Sequence, residues 1–301
     1  MSDFLEQVVA ERRADAQAAE AASPQIDLMK DAKDNVWSRV TREGRSSQLI
    51  DHESQVPIRY GNAFTAALRE RRRNGYLSVI AEVKRVSPAF GTMAADADVG
   101  AIARGYALAG ATAISVLTEP RHWGGSMRDL ATVRDAVPHM PILCKDVIVH
   151  GQQIVEARAA GADAVLLIAE ALTDDELRAL MAHAHTLNMG VLLEAHEPVA
   201  FGRAVALRTS VLGINARDLR RPSDIDIGRA RQLHGFANEW QILVAESGIS
   251  SVDDARLLPA RVDAVLVGTA LMRADDPTPL IRGIAAIRKT KVPAGASPVR
   301  P

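Results

Sequence analysis

The segment Gly161-Ala162-Asp163-Ala164-Val165-Leu166-Leu167-Ile168 decides the fold of this chain. A glycine and small residues end one helix, and an uninterrupted apolar run follows at once. Such a run is typical of a strand buried on both faces of a parallel sheet. The same construction occurs at residues 110–118, and a variant of it at residues 262–268. The repetition predicts that one strand-and-helix unit is used several times.

Short apolar runs of this kind recur along the chain, each followed by a polar turn and an amphipathic helical pattern. They occupy residues 79–84, 113–118, 142–145, 164–168, 191–194, 211–215, 242–246 and 264–268. Eight parallel strands close a barrel, so the predicted fold class is α/β, a single (β/α)8 TIM barrel with an extra N-terminal helical segment. The competing doubly wound open sheet is less favoured, because no Gly-x-Gly-x-x-Gly follows the first run.

The expected organisation has three parts. Residues 1–62 form an N-terminal helical extension that packs on the barrel, with one helix over residues 2–22. Residues 63–289 form the barrel, which is the catalytic domain and opens with a helix over residues 63–73. Residues 290–301 are predicted to be a disordered tail, because they contain three prolines and no periodicity.

Composition limits the partners of the chain. Of its 301 residues 48 % are apolar, which is enough for one large core, and 37 acidic residues nearly balance 36 basic ones. This balance argues against a nucleic-acid arm or a polybasic membrane anchor, so we expect a small-molecule partner. The single cysteine, Cys144, fits a reducing compartment, and no signal peptide or membrane span is apparent. We therefore expect a cytoplasmic protein, either a monomer or a homodimer.

Charged and polar residues end five of the apolar runs. In parallel barrels the active site forms at the C-terminal ends of the strands, so these residues are candidates for it. They are Glu82 and Lys84 of the first run, Lys145 of the third, Glu194 of the fifth, Asn215 of the sixth, and Glu246 with Ser247 at the end of the seventh.

Glu82 and Lys84 are two residues apart on a strand and therefore share a face. A single glutamate–lysine pair of this kind fits a structural ion pair as well as a catalytic one. Several charged strand ends together favour acid–base catalysis, because lysines and glutamates crowded in a partly dry pocket have shifted pKa values. Glu119 and Asp146 also end runs, and we expect them to cap the loops that follow.

Two glycine turns predict a phosphate site. Gly248 follows the seventh run and Gly268-Thr269 follows the eighth, in the two loops where barrels of this class bind phosphate. Ser87 in the first loop offers an additional hydroxyl group. We therefore expect a phosphorylated ligand.

The histidines do not form a predicted metal site. His183 and His185 are two residues apart in a helix and cannot share a face. Clustered ligands are not apparent around His150, His196 or Cys144. The prediction is no metal and no organic cofactor.

Several motifs in order resemble the indole-3-glycerol phosphate synthase family, over residues 64–288. They are the segments 80–88 (Ile-Ala-Glu-Val-Lys-Arg-Val-Ser-Pro), 114–119 (Ile-Ser-Val-Leu-Thr-Glu), 153–161 with its Glu156-Ala157-Arg158 centre, 213–219 (Gly-Ile-Asn-Ala-Arg-Asp-Leu) and 245–249 (Ala-Glu-Ser-Gly-Ile). The N-terminal helix is similar to the family's extra helix before the barrel.

The resemblance implies an enzyme of tryptophan biosynthesis, a carboxy-lyase. Its reaction is ring closure of 1-(2-carboxyphenylamino)-1-deoxyribulose 5-phosphate to indole-3-glycerol phosphate, with loss of carbon dioxide and water. It also implies roles for the residues. Lys145 is the acid for the condensation, Lys84 contacts the substrate carboxylate and is a candidate acid for the dehydration, and Glu82 and Glu194 have base and electrostatic roles. Asn215, Arg217 and Ser247 position the anthranilate part with Glu246 beside them, and Ser87, Gly248, Gly268 and Thr269 hold the phosphate.

The chain departs from the family pattern in several places. Ala89-Phe90 replaces a small residue and a cation, Val147 replaces a phenylalanine, and Cys144 replaces an arginine, although Trp123 stands where another phenylalanine is common. The stretch 26–60 is also longer than expected. These differences leave open a specialised paralogue for a substituted anthranilate ring. Phosphoribosylanthranilate isomerase and a non-catalytic sugar-phosphate-binding barrel are further alternatives.

Overall fold

The computed structural model describes residues 3–22, 62–87, 91–92 and 97–289. The predictions for the segment 23–60, for Ala89 and Phe90, and for the tail at 290–301 lie outside these residues. The division of the chain into extension, barrel and tail stays a prediction.

Eight parallel strands form a closed barrel in which each strand pairs with the next and the last pairs with the first. They are β1 (Ser78–Val83), β2 (Ala113–Leu117), β3 (Ile142–Lys145), β4 (Ala164–Ile168), β5 (Gly190–Ala195), β6 (Val211–Asn215), β7 (Ile242–Glu246) and β8 (Ala264–Val267). The predicted TIM barrel is confirmed. The predicted bounds of β1, β2, β5 and β8 are wrong by one residue, because Lys84, Thr118 and Gly268 lie just past the ladder and β5 extends one residue further at each end.

Helices surround the barrel. They are α1 (Phe4–Ala22), α2 (Ala63–Arg73), α3 (Val99–Ala109), α4 (Met127–Ala136), α5 (Gly151–Ala159), α6 (Asp174–Thr186), α7 (Pro198–Ala206), α8 (Arg229–Leu233), α9 (Val252–Arg256), α10 (Thr269–Arg273) and α11 (Thr278–Ala285). Short 3-10 turns occupy Ala169–Ala171 and His234–Phe236, and Val86–Ser87 pairs with Gly91–Thr92 in a small antiparallel ladder.

The short segments that precede β4 and β8 share a structural role. Gly161 follows α5 with a φ of 102°, a left-handed conformation that glycine adopts without strain. The Asp163 carboxylate then accepts a hydrogen bond of 2.9 Å from the backbone N–H of Ile142, where β3 begins. Asp263 does the same for Leu243 at the start of β7, also at 2.9 Å. The aspartates therefore satisfy backbone groups at the N-terminal end of the barrel, opposite the site.

Helix α1 packs on the barrel through buried Leu5 and Val8, which belong to the same apolar core as the strands. Asp3 caps it, because its carboxylate accepts a hydrogen bond of 2.8 Å from the N–H of Glu6. Among the described helices, none combines the length and the apolar character needed to cross a membrane.

Candidate active site

A cavity of about 510 Å³ opens at the C-terminal ends of the strands. Every site residue predicted from the sequence lines it: Glu82, Lys84, Ser87, Trp123, Lys145, Glu194, Asn215, Arg217, Glu246, Ser247, Gly248, Gly268 and Thr269. The structure therefore brings the whole predicted set together in one cavity, as expected for strand ends that converge at a barrel mouth. The roles of the individual residues stay predictions.

On one side of the cavity, Glu82 and Lys84 form a close ion pair. Lys84 Nζ lies 2.6 Å from Glu82 Oε2, and only 4 % of the Glu82 side chain is exposed. Burial opposes ionisation of Glu82, but the positive charges of Lys84 and Lys145 outweigh it and lower the pKa of the Glu82 carboxyl. Glu82 is therefore a carboxylate at neutral pH.

On the other side, Lys145 is shared between two carboxyl groups. Its Nζ lies 3.7 Å from Glu194 Oε2 and 3.9 Å from Glu246 Oε2, beyond the distance of a good hydrogen bond. Burial works against the charged lysine, yet the negative charges of Glu194 and Glu246 prevail and raise the pKa of Lys145. Lys145 is therefore a protonated donor that no carboxylate holds closely.

Burial and the neighbouring Glu194 both favour the protonated form of Glu246. Burial, followed by the negative charge of Glu194, raises the pKa of Glu246 well above the usual glutamate range. Both oxygens of Glu246 and Oε2 of Glu194 are buried and accept no hydrogen bond from the described residues. A proton on Glu246 lets it donate a hydrogen bond to Glu194, which resolves the repulsion between the two groups.

Two glycines leave room for these carboxyl groups. A methyl group on Gly213 of β6 would overlap Oε1 of Glu246, and one on Gly268 would overlap Oε2 of Glu82. Any larger residue would displace the glutamates, so both glycines are needed for the charges to approach each other.

Asn215 connects the ends of β5, β6 and β7. Its side-chain Nδ2 donates to Glu194 Oε1 at 3.4 Å, while its Oδ1 accepts from Ser247 Oγ at 2.9 Å and from the Arg217 N–H at 3.0 Å. Arg217 also donates to the carbonyl of Pro222. Burial lowers the pKa of Arg217, although not enough to remove its charge near neutral pH.

The two predicted phosphate turns lie beside each other at the mouth. Ser247 and Gly248 have φ values of 66° and 74°, so the chain turns sharply after β7, and both residues line the cavity. Gly268 and Thr269 form the corresponding turn after β8. Ser87 is buried in the small ladder and lines the same cavity.

Apolar residues form the rest of the wall. Trp123 was predicted here, and Val147 was named as a departure from the family pattern. The sequence analysis missed Leu166, Ile168, Pro222, Ile225, Ile227, Leu266, Val267 and Ala270, as well as Arg273. Leu117, Leu219 and Ile249 belong to quoted motifs but were given no role, and Ser250 directly follows the last of these motifs. The inward-facing strand positions of these residues were a usable signal for Leu166 and Leu266. The loop residues gave none, since a loop conformation is not encoded by periodicity.

Glu119 and Asp146 cap loops, as predicted. The Glu119 carboxylate accepts backbone hydrogen bonds from Arg121, His122 and Trp123, at 3.0, 2.7 and 3.0 Å. Asp146 accepts one of 2.8 Å from the N–H of Val147. Both residues also line the cavity, next to predicted site residues.

Helix α1 reaches both of these loops. Arg12 forms an ion pair of 3.1 Å with buried Asp146, directly after Lys145. Glu11 lies 2.7 Å from His122, and the ring of Phe4 meets the edge of Trp123 at 5.7 Å between centroids. The extra N-terminal helix therefore holds the loops that follow β2 and β3.

The sequence analysis found no ligands around His196, but the structure places Glu197 and Asp218 next to it, with potential ligand atoms within 4.8 Å of one another. Arg220 donates to both carboxylates, at 2.6 Å to Glu197 and 2.9 Å to Asp218. Arg229 donates to His196 Nε2 at 3.2 Å. Arginines thus occupy the groups that a cation would need, so the cluster is better described as an ion-pair network.

The barrel and its charged mouth define a class of protein. A closed parallel barrel with protonated lysine, paired carboxyl groups and two glycine turns at the strand ends is a (β/α)8-barrel enzyme with acid–base chemistry. The sequence profile of the indole-3-glycerol phosphate synthase family matches residues 27–284. The chain belongs to this family.

Individual relatives agree with this assignment. An indole-3-glycerol phosphate synthase of Nocardioides sp. (strain JS614) is 48 % identical over 213 residues, which cover 70 % of this chain and 80 % of the relative. One of Acidithiobacillus ferrooxidans is 43 % identical, with 92 % of this chain and 96 % of the relative covered. One of Polaromonas sp. (strain JS666) is 38 % identical with the same coverage.

Solved structures support the fold alone. The tryptophan synthase alpha chain of Legionella pneumophila superposes with a TM-score of 0.56 at 12 % identity, over 74 % of this chain and 96 % of that chain. A tryptophan synthase structure from M. tuberculosis gives a TM-score of 0.57 at 14 % identity, over 74 % and 97 %.

The family assignment confirms the resemblance found in the sequence and the predicted enzyme class, a decarboxylating carboxy-lyase of tryptophan biosynthesis. It does not favour the specialised paralogue or the non-catalytic barrel.

Proposed function

We propose that the cavity binds 1-(2-carboxyphenylamino)-1-deoxyribulose 5-phosphate and closes its ring to indole-3-glycerol phosphate, releasing carbon dioxide and water. The observation that carries this proposal is the placement of two lysines in one cavity, each beside buried carboxyl groups and facing two glycine turns. The reaction needs a proton donor at the ketone, a partner for the carboxylate and an anchor for the phosphate. The cavity has a candidate for each.

Lys145 is the acid for the condensation. As the aromatic carbon attacks the ketone carbon, negative charge develops on the carbonyl oxygen and must be met by a proton. Lys145 holds its proton because neighbouring glutamates raise its pKa, and its distances to them leave Nζ available to the substrate. A donor already charged and partly desolvated needs little rearrangement when the transition state forms.

Lys84 binds the substrate carboxylate and is the acid for the dehydration that follows carbon dioxide loss. An ammonium group already beside one carboxylate, Glu82, can bridge to a second without leaving its position. Loss of carbon dioxide frees Lys84 from that contact, and it can then protonate the departing hydroxyl group.

Glu82 and Glu194 act as bases. Glu82 is ionised and next to Lys84, so it can accept a proton released by the intermediate and pass it to Lys84 after that lysine has given up its own. Glu194 is buried beside Lys145 and Asn215, where it favours the charged lysine and can accept the proton from the amine side of the intermediate. Glu246, whose pKa is raised by burial and by the charge of Glu194, lends a hydrogen bond to Glu194 rather than acting as a base.

Asn215, Arg217 and Ser247 orient the anthranilate part through the hydrogen-bonded set that joins them. The ring lies against the apolar wall that includes Trp123 and Val147. Ser87, Gly248, Gly268 and Thr269 hold the phosphate, since glycine turns allow backbone N–H groups to approach an anion closely.

The test is the appearance of indole fluorescence when purified protein is mixed with the anilino-deoxyribulose phosphate. We expect product from the wild-type protein and strongly reduced turnover from Lys145→Met and Glu194→Gln. No product from folded wild-type protein would refute the proposal.

Two finer statements belong with it. We expect the enzyme to work in the cytoplasm, where a reducing environment suits the single buried cysteine, Cys144. We also expect a monomer or homodimer. Sedimentation analysis would determine the assembly state.

A further inference from the structure

His196 and its contacts are not used by the proposed reaction. The residue follows β5, two positions after Glu194, and only 7 % of it is exposed. Its Nδ1 lies 2.8 Å from the backbone carbonyl oxygen of Asn215, at the end of β6. The imidazole therefore connects the ends of the two strands that present Glu194 and Asn215 to the cavity.

The two neighbours of the ring define its tautomer. A carbonyl oxygen only accepts hydrogen bonds, so Nδ1 must carry the hydrogen. The guanidinium of Arg229, 3.2 Å from Nε2, only donates, so Nε2 must be the unprotonated nitrogen. Both contacts are met by the neutral imidazole with its hydrogen on Nδ1, whereas Glu197 Oε1 lies 3.8 Å from Nε2, beyond hydrogen-bond distance.

The backbone of His196 is held as well. Glu170, on the 3-10 turn after β4, accepts hydrogen bonds from the N–H groups of His196 at 2.7 Å and Glu197 at 2.9 Å. The ring itself is thus oriented by a fixed backbone on one side and by Arg229 on the other. Charged groups around it include Glu170, Glu197, Asp218, Arg220 and Arg229.

We propose that His196 is a positioning residue that holds the Asn215 backbone, and through it the Asn215 side chain, in the orientation that serves Glu194 and Ser247. This inference rests on the proposed function, since it concerns the same reaction. The Asn215 side chain contacts both residues, and a shift of its backbone by a fraction of an ångström would lengthen the bond of 3.4 Å to Glu194. A displaced Glu194 would slow turnover more than it would weaken substrate binding, because it acts on the reacting atoms.

Two substitutions separate the two contacts of the ring. The amide nitrogen of asparagine is as many bonds from Cα as Nδ1 of histidine, so His196→Asn retains a donor for the Asn215 carbonyl. The amide of glutamine extends to the position of Nε2, so His196→Gln retains a group for Arg229 but loses the donor. We expect His196→Asn to keep kcat within about threefold of wild type. We expect His196→Gln to lose about tenfold in kcat with little change in KM, the scale of one hydrogen bond.

His234→Gln is the matched control, because His234 lies on the 3-10 turn after α8 and does not line the cavity. It should leave kcat unchanged. Melting temperatures of all variants would show whether any loss of kcat reflects unfolding. An impaired His196→Asn beside a normal His196→Gln would overturn the proposal, as would equal loss of kcat and melting temperature in both.

The tautomer provides a readout that requires no turnover. In nitrogen-15 NMR spectra of the wild-type protein, His196 should show a protonated Nδ1 and an unprotonated Nε2 near neutral pH. A hydrogen on Nε2 would contradict the assignment. If the wild-type protein made no product, the proposed function would fail, whereas the NMR signals would still decide whether His196 holds Asn215.

Discussion

The two lysines of the cavity have opposite surroundings. Lys84 forms one close ion pair with Glu82 at 2.6 Å, whereas Lys145 stands 3.7 and 3.9 Å from two carboxyl groups that already interact with each other. The first lysine is held by its partner, and the second is kept charged without being held. The difference teaches that charge and availability are set separately: nearby glutamates keep a lysine protonated, while their distance decides whether its proton is free for a substrate.

Removal of the available lysine should have the largest effect. Lys145→Met removes the proposed acid, so kcat should fall by about 10²- to 10⁴-fold, the range for general acid catalysis. Lys289→Met is the control, because Lys289 is half-buried far from the mouth and donates to the carbonyl of Pro259 at 3.2 Å. Steady-state kinetics should show a normal kcat for the control. A Lys145→Met variant with kcat near that of wild type would contradict the assignment of Lys145 as the available proton donor.

Two glycine substitutions should perturb the surroundings of the two lysines separately. Gly268→Ala places a methyl group against Glu82 and Lys84, and Gly213→Ala places one against Glu246. Each should lower kcat/KM by about 100-fold, because small displacements of catalytic groups are costly. Gly105→Ala is the control, since a methyl group there meets no atom within 4 Å.

Gly268→Ala and Gly213→Ala should differ in which step of the reaction they impair. Gly268→Ala should weaken substrate binding as well as turnover, and Gly213→Ala should affect mainly turnover. Activity equal to that of Gly105→Ala in either variant would show that the glutamates do not need this space.

The held lysine, Lys84, should contribute to substrate binding in addition to its role in the dehydration. Lys84→Met should weaken binding of an unreactive substrate analogue, with the ketone reduced to an alcohol, by about 10- to 100-fold, the scale of a charge-assisted hydrogen bond. Calorimetry measures this directly. Lys145→Met should bind the analogue within about threefold of wild type, and the reverse order of the two variants would contradict the assignment.

The proton on Glu246 should appear in the pH dependence of stability. Because the pKa of Glu246 is raised in the folded state, the folded protein binds a proton that the unfolded chain releases above about pH 4.5. The contribution of Glu246 to stability is therefore fully present below about pH 4.5. It is lost progressively as pH rises toward and through the raised pKa of Glu246 in the folded protein. Glu246→Gln mimics the protonated form, so this variant should lose less stability than wild type as pH rises.

Melting temperatures measured between pH 5 and 9 should reveal this difference. The gap between Glu246→Gln and wild type should widen in favour of the variant by about 2–4 °C, the scale of 1 kcal/mol in a domain of this size. Parallel melting curves across the pH range would show that Glu246 is ionised.

The sequence predicted where the site lies better than how its groups interact. Glu82, Lys84, Lys145, Glu194 and Asn215 were located because alternation along a strand and convergence at a barrel mouth are properties of the backbone. The contrast between the two lysines depends on side-chain conformations and on neighbours from other strands, which no single segment encodes.

Contacts between distant segments could also not be predicted from the sequence. The predicted N-terminal helix was correct within two residues at its start, but its ion pair from Arg12 to Asp146 joins positions 134 residues apart. The network around His196 likewise depends on Arg220 and Arg229 from a loop whose path follows no periodic pattern.

A single-turnover experiment with carbon-13 in the substrate carboxylate tests the central claim most directly. If Lys145 acts in ring closure, before carbon dioxide leaves, wild type should release labelled carbon dioxide and form the indole together, and Lys145→Met should do neither at a comparable rate. Labelled carbon dioxide released by Lys145→Met at the wild-type rate would show that decarboxylation does not wait for this lysine, and would contradict the account.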